Sequence, residues 1–166
     1  RGIEPILQVT CRDRNRIALQ SDLLAAHALG VQNVLCMTGD NPKTGDHPDA
    51  KPVFDLDAIA LAKAITSLES GEDMGGKDLK GSPTFFAGAV VNPGAPDLDK
   101  ERRRMEEKLE AGARFFQTQA VYDPASFESF IGRVQGYKVP ILAGLIMLKS
   151  GNMARNLNAR VPGISI

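Results

Sequence analysis

Short apolar runs alternate along the chain with longer runs in which apolar residues recur every three to four positions. Residues 6–10 read as a strand, and 16–29 carry apolar residues at helical spacing before Gly30 ends the helix. Residues 33–38 read as a second strand. A polar, turn-rich loop spans 39–52, and a helix is expected over about 56–68. The third strand is expected at 84–91, followed by a charged helix over 99–111 that stops at Gly112. Residues 114–121 form the fourth expected strand, 124–134 a helix and 139–147 the fifth strand; a last helix begins near Asn152. Five βα units in succession imply an α/β fold with a parallel sheet. Ala28-Leu29-Gly30-Val31 and Glu110-Ala111-Gly112-Ala113 each end a helix at glycine and enter a strand almost at once. Barrels and open sheets share that turn, so the pattern leaves both open. Residues 70–82, rich in Gly, Asp and Lys, read as a surface loop or insertion.

Composition narrows the function classes. The 166 residues suit one domain with a real core. Formal net charge is zero, and the run Arg102-Arg103-Arg104 is offset by Glu101, Glu106 and Glu107, which argues against a nucleic-acid partner. No apolar stretch is long enough to span a bilayer, and the opening residues are not expected to be a signal peptide. A strand pattern begins within a few residues of Arg1, and the chain stops inside the apolar run Ile164-Ser165-Ile166, so both ends read as cuts. Cys11 and Cys36 lack CxxC or Cys/His neighbours, which argues against a metal site. Two free thiols fit a reducing compartment, and a cytoplasmic location is expected.

Parallel α/β proteins place their chemistry where strands end. The expected strand ends carry Thr10, Cys11, Arg12 and Asp13; then Thr38, Gly39, Asp40 and Asn41; then Asn92 and Pro93; then Gln119, Tyr122 and Asp123; and last Lys149 and Ser150. There is no GxGxxG, no phosphate-binding GxxxxGK[ST] and no GxSxG. His27 lies within a helix and reads as a surface residue, whereas His47, in the long loop, is a candidate ligand contact.

Thr38-Gly39-Asp40-Asn41-Pro42, leading into Gly45-Asp46-His47-Pro48, resembles the strand-four loop of the methylenetetrahydrofolate reductases. Ala111-Gly112-Ala113-Arg114-Phe115 with Thr118-Gln119 and Tyr122-Asp123 resembles a later strand of that family. Residues 7–13 and 140–148 resemble its third and seventh strands, so the likeness runs along nearly the whole chain in order. Val53-Phe54-Asp55-Leu56-Asp57 is similar to the branch fused to a homocysteine methyltransferase, or found in acetogens. The resemblance implies a TIM (β/α)₈ barrel, present as a partial barrel of about five parallel βα units over 1–166, matching family strands three to seven.

The same resemblance implies FAD as cofactor and an oxidoreductase of one-carbon metabolism serving methionine biosynthesis. It would reduce 5,10-methylenetetrahydrofolate to 5-methyltetrahydrofolate, with NAD(P)H or an electron-carrier subunit as donor. Asp40 matches the aspartate beside the flavin. A carboxylate there opposes negative charge on reduced flavin and favours a cationic form of the substrate. Gln119 matches the glutamine that hydrogen-bonds the pterin, where an amide offers both donor and acceptor. Asp40 and Gln119 are expected around one concave mouth. Thr118, pointing the other way in a regular strand, reads as structural. Thr38, Gly39, Asp40, Phe54, Asn92, Arg104 and Lys108 are the implied cofactor contacts, with Phe54 on the adenine side and Lys108 near the diphosphate.

The sequence departs from the family at several of these places. Thr38 stands where many members have Arg, Asn92 and Gln8 replace histidines, and Glu107 would repel a diphosphate. The family's first strand, which carries its glutamate general acid, has no counterpart here, so the isolated segment is expected to be inactive. A homo-oligomer, or fusion to a methyltransferase domain, is expected. Two other readings stay open: a non-catalytic flavin- or folate-binding barrel module, and a flavin-free, pterin-dependent methyltransferase-like barrel. An open doubly wound sheet is disfavoured because no Gly-rich loop follows the first strand.

Overall fold

The computed structural model describes residues 2–161, 164 and 166; the readings made at Arg1 and Ser165 lie outside the described residues. Five parallel strands alternate with helices: β1 (Ile6–Thr10), α1 (Arg16–Ala28), β2 (Asn33–Met37), α2 (Ala58–Glu69), β3 (Phe86–Val91), α3 (Leu98–Glu110), β4 (Phe115–Ala120), α4 (Pro124–Val134), β5 (Ile141–Gly144) and α5 (Gly151–Arg160). This is an α/β arrangement in keeping with part of a (β/α)₈ barrel. Helix starts follow local polar chemistry: Asn15, Asp57, Asp123 and Ser150 each accept backbone N–H groups from the first turn of the helix that follows.

The chain forms two compact units. The first comprises Arg1–Ala89 with Lys108–Arg114, and the second Val90–Glu107 with Phe115–Ile166. In the first, β1 pairs with β2 from Ile6↔Asn33 to Thr10↔Met37, and β2 pairs with β3 from Asn33↔Phe86 to Cys36↔Ala89. β3 therefore begins at Phe86 rather than at residue 84, because β2 offers no strand partner before Asn33. Val9, Val34, Cys36 and Ala87 point to the side covered by Leu19 and Leu23 of α1 and Leu61, Ile65 and Leu68 of α2, all buried. Each such aliphatic side chain contributes roughly 1.5–3 kcal/mol, so this cluster dominates the unit's stability. The 70–82 segment is docked on the unit's surface, with the Met74 N–H donating to the Gln20 side chain at 2.7 Å and the Leu79 N–H to Gly71 O at 2.7 Å.

In the second unit, β4 pairs with β5, and Phe116, Phe130 and Val134 are buried. Asp99 meets Arg133 at 2.6 Å, and Tyr137 bonds Glu106 and Arg102. Exposed ion pairs of this kind contribute about 0–1 kcal/mol each, so they orient α3 and α4 more than they stabilise them. β5 is shorter than the sequence pattern suggests. Its ladder ends at Ala120↔Gly144, where β4 itself ends, and Leu145 to Leu148 continue with exposed side chains. No helix of the described residues is long and apolar enough to cross a membrane.

Candidate functional site

Where β2 ends, the chain turns through Thr38, Gly39 and Asp40. The Thr38 hydroxyl accepts the Ala58 N–H at 3.1 Å, so it helps start α2. Gly39 sits at φ +90°, and a Cβ there would lie 3.0 Å from the Arg12 Cβ and 3.3 Å from the Thr10 Cβ. Only glycine supplies both the left-handed backbone and the close approach to the end of β1. Asp40 is exposed and makes no hydrogen bond or ion pair among the described residues. Arg12 forks onto Asp13 at 2.7 and 2.9 Å. Its pKa is raised, first by Asp13 and further by the negative charge of Asp40. The sequence places Arg12 on the rim without a role; the structure packs its Cβ against Gly39 and brings its charge within reach of Asp40.

A second segment closes on the same tip. The Val53 N–H donates to Arg12 O at 2.7 Å, and the Phe54 N–H to Cys11 O at 3.2 Å. Phe54 has φ +44° and is 36% exposed, so it stands outside the core. Left-handed backbone costs a non-glycine residue roughly 1–2 kcal/mol, and the neighbouring bonds must hold it. Asp55, the next residue, adds a further anchor. Its Oδ2 accepts the Arg16 N–H and Nε–H, both at 2.9 Å, and its Oδ1 accepts Nη2–H at 2.8 Å. The Arg16 side-chain and backbone bonds hold the Asp55 carboxyl down to about 2. Arg16 and Asp55 went unrecognised in the sequence. They are 39 positions apart, and no local spacing marks such a pair. Thr38, Gly39, Asp40 and Phe54 thus gather where β1 and β2 finish.

Lys108 is placed differently. It is 8% exposed in the last turn of α3. Two residues after that helix ends, Gly112 packs on α2, and the Thr66 hydroxyl donates to Ala111 O at 3.1 Å. Thr66 lies on the order of 12 Å along α2 from its first residue, at 1.5 Å per residue. Burial pushes the Cys11 thiol up to about 11 and the Cys36 thiol up to about 12. Both behave as small apolar residues. His47 is exposed in its loop, and His27 sits edge-on to Phe85 with ring centroids 5.9 Å apart. Among the described residues no cluster of His, Cys, Asp and Glu could hold a metal ion.

The second unit carries the other candidates. The Asn92 side chain accepts the Gly94 N–H at 3.0 Å, and the Asn92 N–H donates to Glu101 at 2.9 Å, so Asn92 shapes the turn leaving β3. Arg104 is exposed and makes no ion pair among the described residues. Gln119 is half-buried near the end of β4, and its amide makes no side-chain hydrogen bond there. The strand is not regular at this point. Gln117 pairs with Leu142 and Ala120 with Gly144, so Thr118 and Gln119 together face Ala143 alone. Thr118 is 4% exposed, and its hydroxyl accepts the Gly144 N–H at 2.8 Å. It is structural, as read from the sequence, but simple alternation does not set its direction. Tyr122 donates to Ile146 O at 3.0 Å, and Asp123 caps α4.

The sequence model of the methylenetetrahydrofolate reductase family matches residues 1–166. A fission-yeast protein (Schizosaccharomyces pombe), "Methylenetetrahydrofolate reductase 2", is 27% identical over 174 positions, covering 99% of this chain and 26% of that protein. A Caenorhabditis elegans protein named as a probable methylenetetrahydrofolate reductase (NADPH) is 26% identical, over 87% of this chain and 20% of its own length. The 5,10-methylenetetrahydrofolate reductase of Pectobacterium carotovorum is 25% identical, over 97% of this chain and 51% of its own length. The chain spans about half of the bacterial relative and about a quarter and a fifth of the two eukaryotic ones. With a match from the first residue to the last, the chain belongs to the methylenetetrahydrofolate reductase family.

Proposed function

We propose that the protein carrying this chain is an FAD-dependent reductase of 5,10-methylenetetrahydrofolate, and that its five βα units are part of a closed (β/α)₈ barrel. The observation that carries this reading is the Gly39 turn with its exposed Asp40, and a partly exposed Phe54 bonded through its backbone to the end of β1, in a chain matched along its length by that family. The residues fit a flavin nucleotide: an open carboxylate at Asp40, a guanidinium at Arg12, a presented aromatic at Phe54 and polar backbone around Gly39. When bound, the flavin supplies hydride transfer.

In this reading Asp40 sets the field at the flavin, favouring positive charge on the substrate and opposing negative charge on reduced flavin. Gln119, whose amide makes no hydrogen bond among the described residues, holds the pterin edge. Thr38 and Asn92, both tied into turns, act through the backbone they shape. Arg104 offers an exposed cation to the diphosphate. Lys108, in the last turn of α3, is assigned to the diphosphate by the family likeness.

The test is the full-length protein purified without added flavin. It should carry FAD and reduce methylenetetrahydrofolate with a nicotinamide donor or a reduced carrier. Asp40→Asn should keep the flavin and slow folate reduction at least about tenfold, the equivalent of about 1.4 kcal/mol at the barrier. A colourless protein that binds folate, or a flavoprotein indifferent to Asp40→Asn, would remove this reading.

A further inference from the structure

We propose that Thr118 and Gly144 are positioning residues for Gln119, through a bulge that aims the Gln119 amide at the pterin. The inference rests on the pterin role proposed for Gln119 and adds the device that orients it. Bulges are rare between parallel strands, and they re-aim side chains and cluster next to active sites. Here the extra residue of β4 falls at Thr118-Gln119, opposite Ala143. A regular ladder would give the Gly144 N–H a backbone acceptor on β4. It goes instead to the Thr118 hydroxyl at 2.8 Å, with Thr118 almost fully buried. The ladder recovers one step later, where the Val121 N–H donates to Gly144 O at 2.9 Å.

Gly144 is the second half of the device. A Cβ built on it would stand 2.8 Å from Thr118 O and 3.5 Å from Gln119 O, both backbone atoms that cannot swing aside. The extra residue and the close approach require each other: β5 can lie this near the bulge only without a side chain at Gly144. With regular alternation restored, Gln119 would turn away from the direction the bulge gives it. Among the described residues Gln119 makes no side-chain hydrogen bond to hold its direction, so its aim depends on the backbone beneath it.

The experiment uses full-length holoenzyme, chemically reduced at its flavin and then mixed with methylenetetrahydrofolate at increasing concentration. The reoxidation rate yields half-saturation and limiting rate without reference to the electron donor. Thr118→Val removes the acceptor at constant shape and should raise half-saturation about tenfold, the loss of one good hydrogen bond. FAD content should be unchanged and Thr118→Ser should restore the wild-type value. Gly144→Ala, which disturbs the same bulge from the other strand, should repeat the effect if Thr118→Val does not fold. Thr118→Val combined with Gln119→Leu should be no worse than Gln119→Leu alone.

If Gln119→Leu raises half-saturation while Thr118→Val and Gly144→Ala leave it within about twofold, well under the tenfold of one hydrogen bond, the positioning role is overturned by itself. Multiplying effects in the double variant overturn it equally. If Gln119→Leu has no effect, the pterin role of Gln119 falls and takes the bulge with it.

Discussion

At the end of β2 the chain leaves the sheet under several independent ties, whereas at the end of β4 it leaves under very few. Gly39 is packed on Thr10 and Arg12, the 53–55 segment is bonded to the Cys11 and Arg12 carbonyls, and Asp55 is forked by Arg16. At β4, one buried hydroxyl holds the bulge, and one phenol, Tyr122, holds the segment that follows β5. The first tip is built on a large apolar cluster shared by two helices and the strands. The second precedes a run of exposed apolar residues, Leu145 to Leu148. A tip with many ties is rigid before any ligand arrives, and rigid donors cost little to organise on binding. A tip with fewer ties depends more on each of them, so conservative changes there should show in binding sooner than in stability.

The largest expected effect tests the packing of the first tip. Gly39→Ala should destabilise by roughly 2–5 kcal/mol, combining about 1–2 for a left-handed alanine with about 1–3 for the clash against β1. A thermal melt that moves by less than a degree or two would show that the two strand ends are not pressed together there.

A smaller loss is expected at Thr38. Thr38→Val removes the acceptor of the Ala58 N–H and should cost about 1 kcal/mol, the usual cost of a lost helix cap. Chemical denaturation measures it, with the midpoint falling and the slope unchanged. If flavin content falls in Thr38→Val with stability intact, the hydroxyl serves the cofactor rather than α2.

Asp55→Asn should matter least near neutrality relative to Gly39→Ala, and its signature is in acid. The Asp55 carboxyl titrates at about 2 when folded, below the ordinary aspartate value of about 3.9. Its stabilisation is therefore complete above about pH 4 and is lost as pH falls toward 2. The gap in melting temperature between wild type and Asp55→Asn should be constant from pH 7 to about 5 and close between about 4 and 2. A gap that stays constant down to pH 2 would mean that the fork with Arg16 does not form in solution.

Much of this was legible without coordinates. Strand and helix periodicities are local, and so are caps such as Asn15, Asp57 and Asp123, so the element order and most boundaries follow from neighbours in the chain. Polar residues after each strand marked the rim, and the Gly39-Asp40 and Thr118-Gln119 segments carried the family likeness. The errors lie where pairing decides. Residues 145–147 have a strand's composition, but β4 offers them no partner, and residues 84–85 likewise precede the ladder with β2. Phe54 reads equally well as core or ligand contact until its backbone angle and exposure are known.

By itself the sequence determined the alternation of strands and helices, the chemistry available at their ends and the family to which the chain belongs. Tertiary structure alone decided how those ends are aimed. The Asp55–Arg16 fork joins positions 39 apart, and the Thr118–Gly144 bond joins positions 26 apart. Periodicity carries information only over a turn or a strand, whereas a bulge or an ion-pair fork arises when two distant segments must share space and hydrogen bonds.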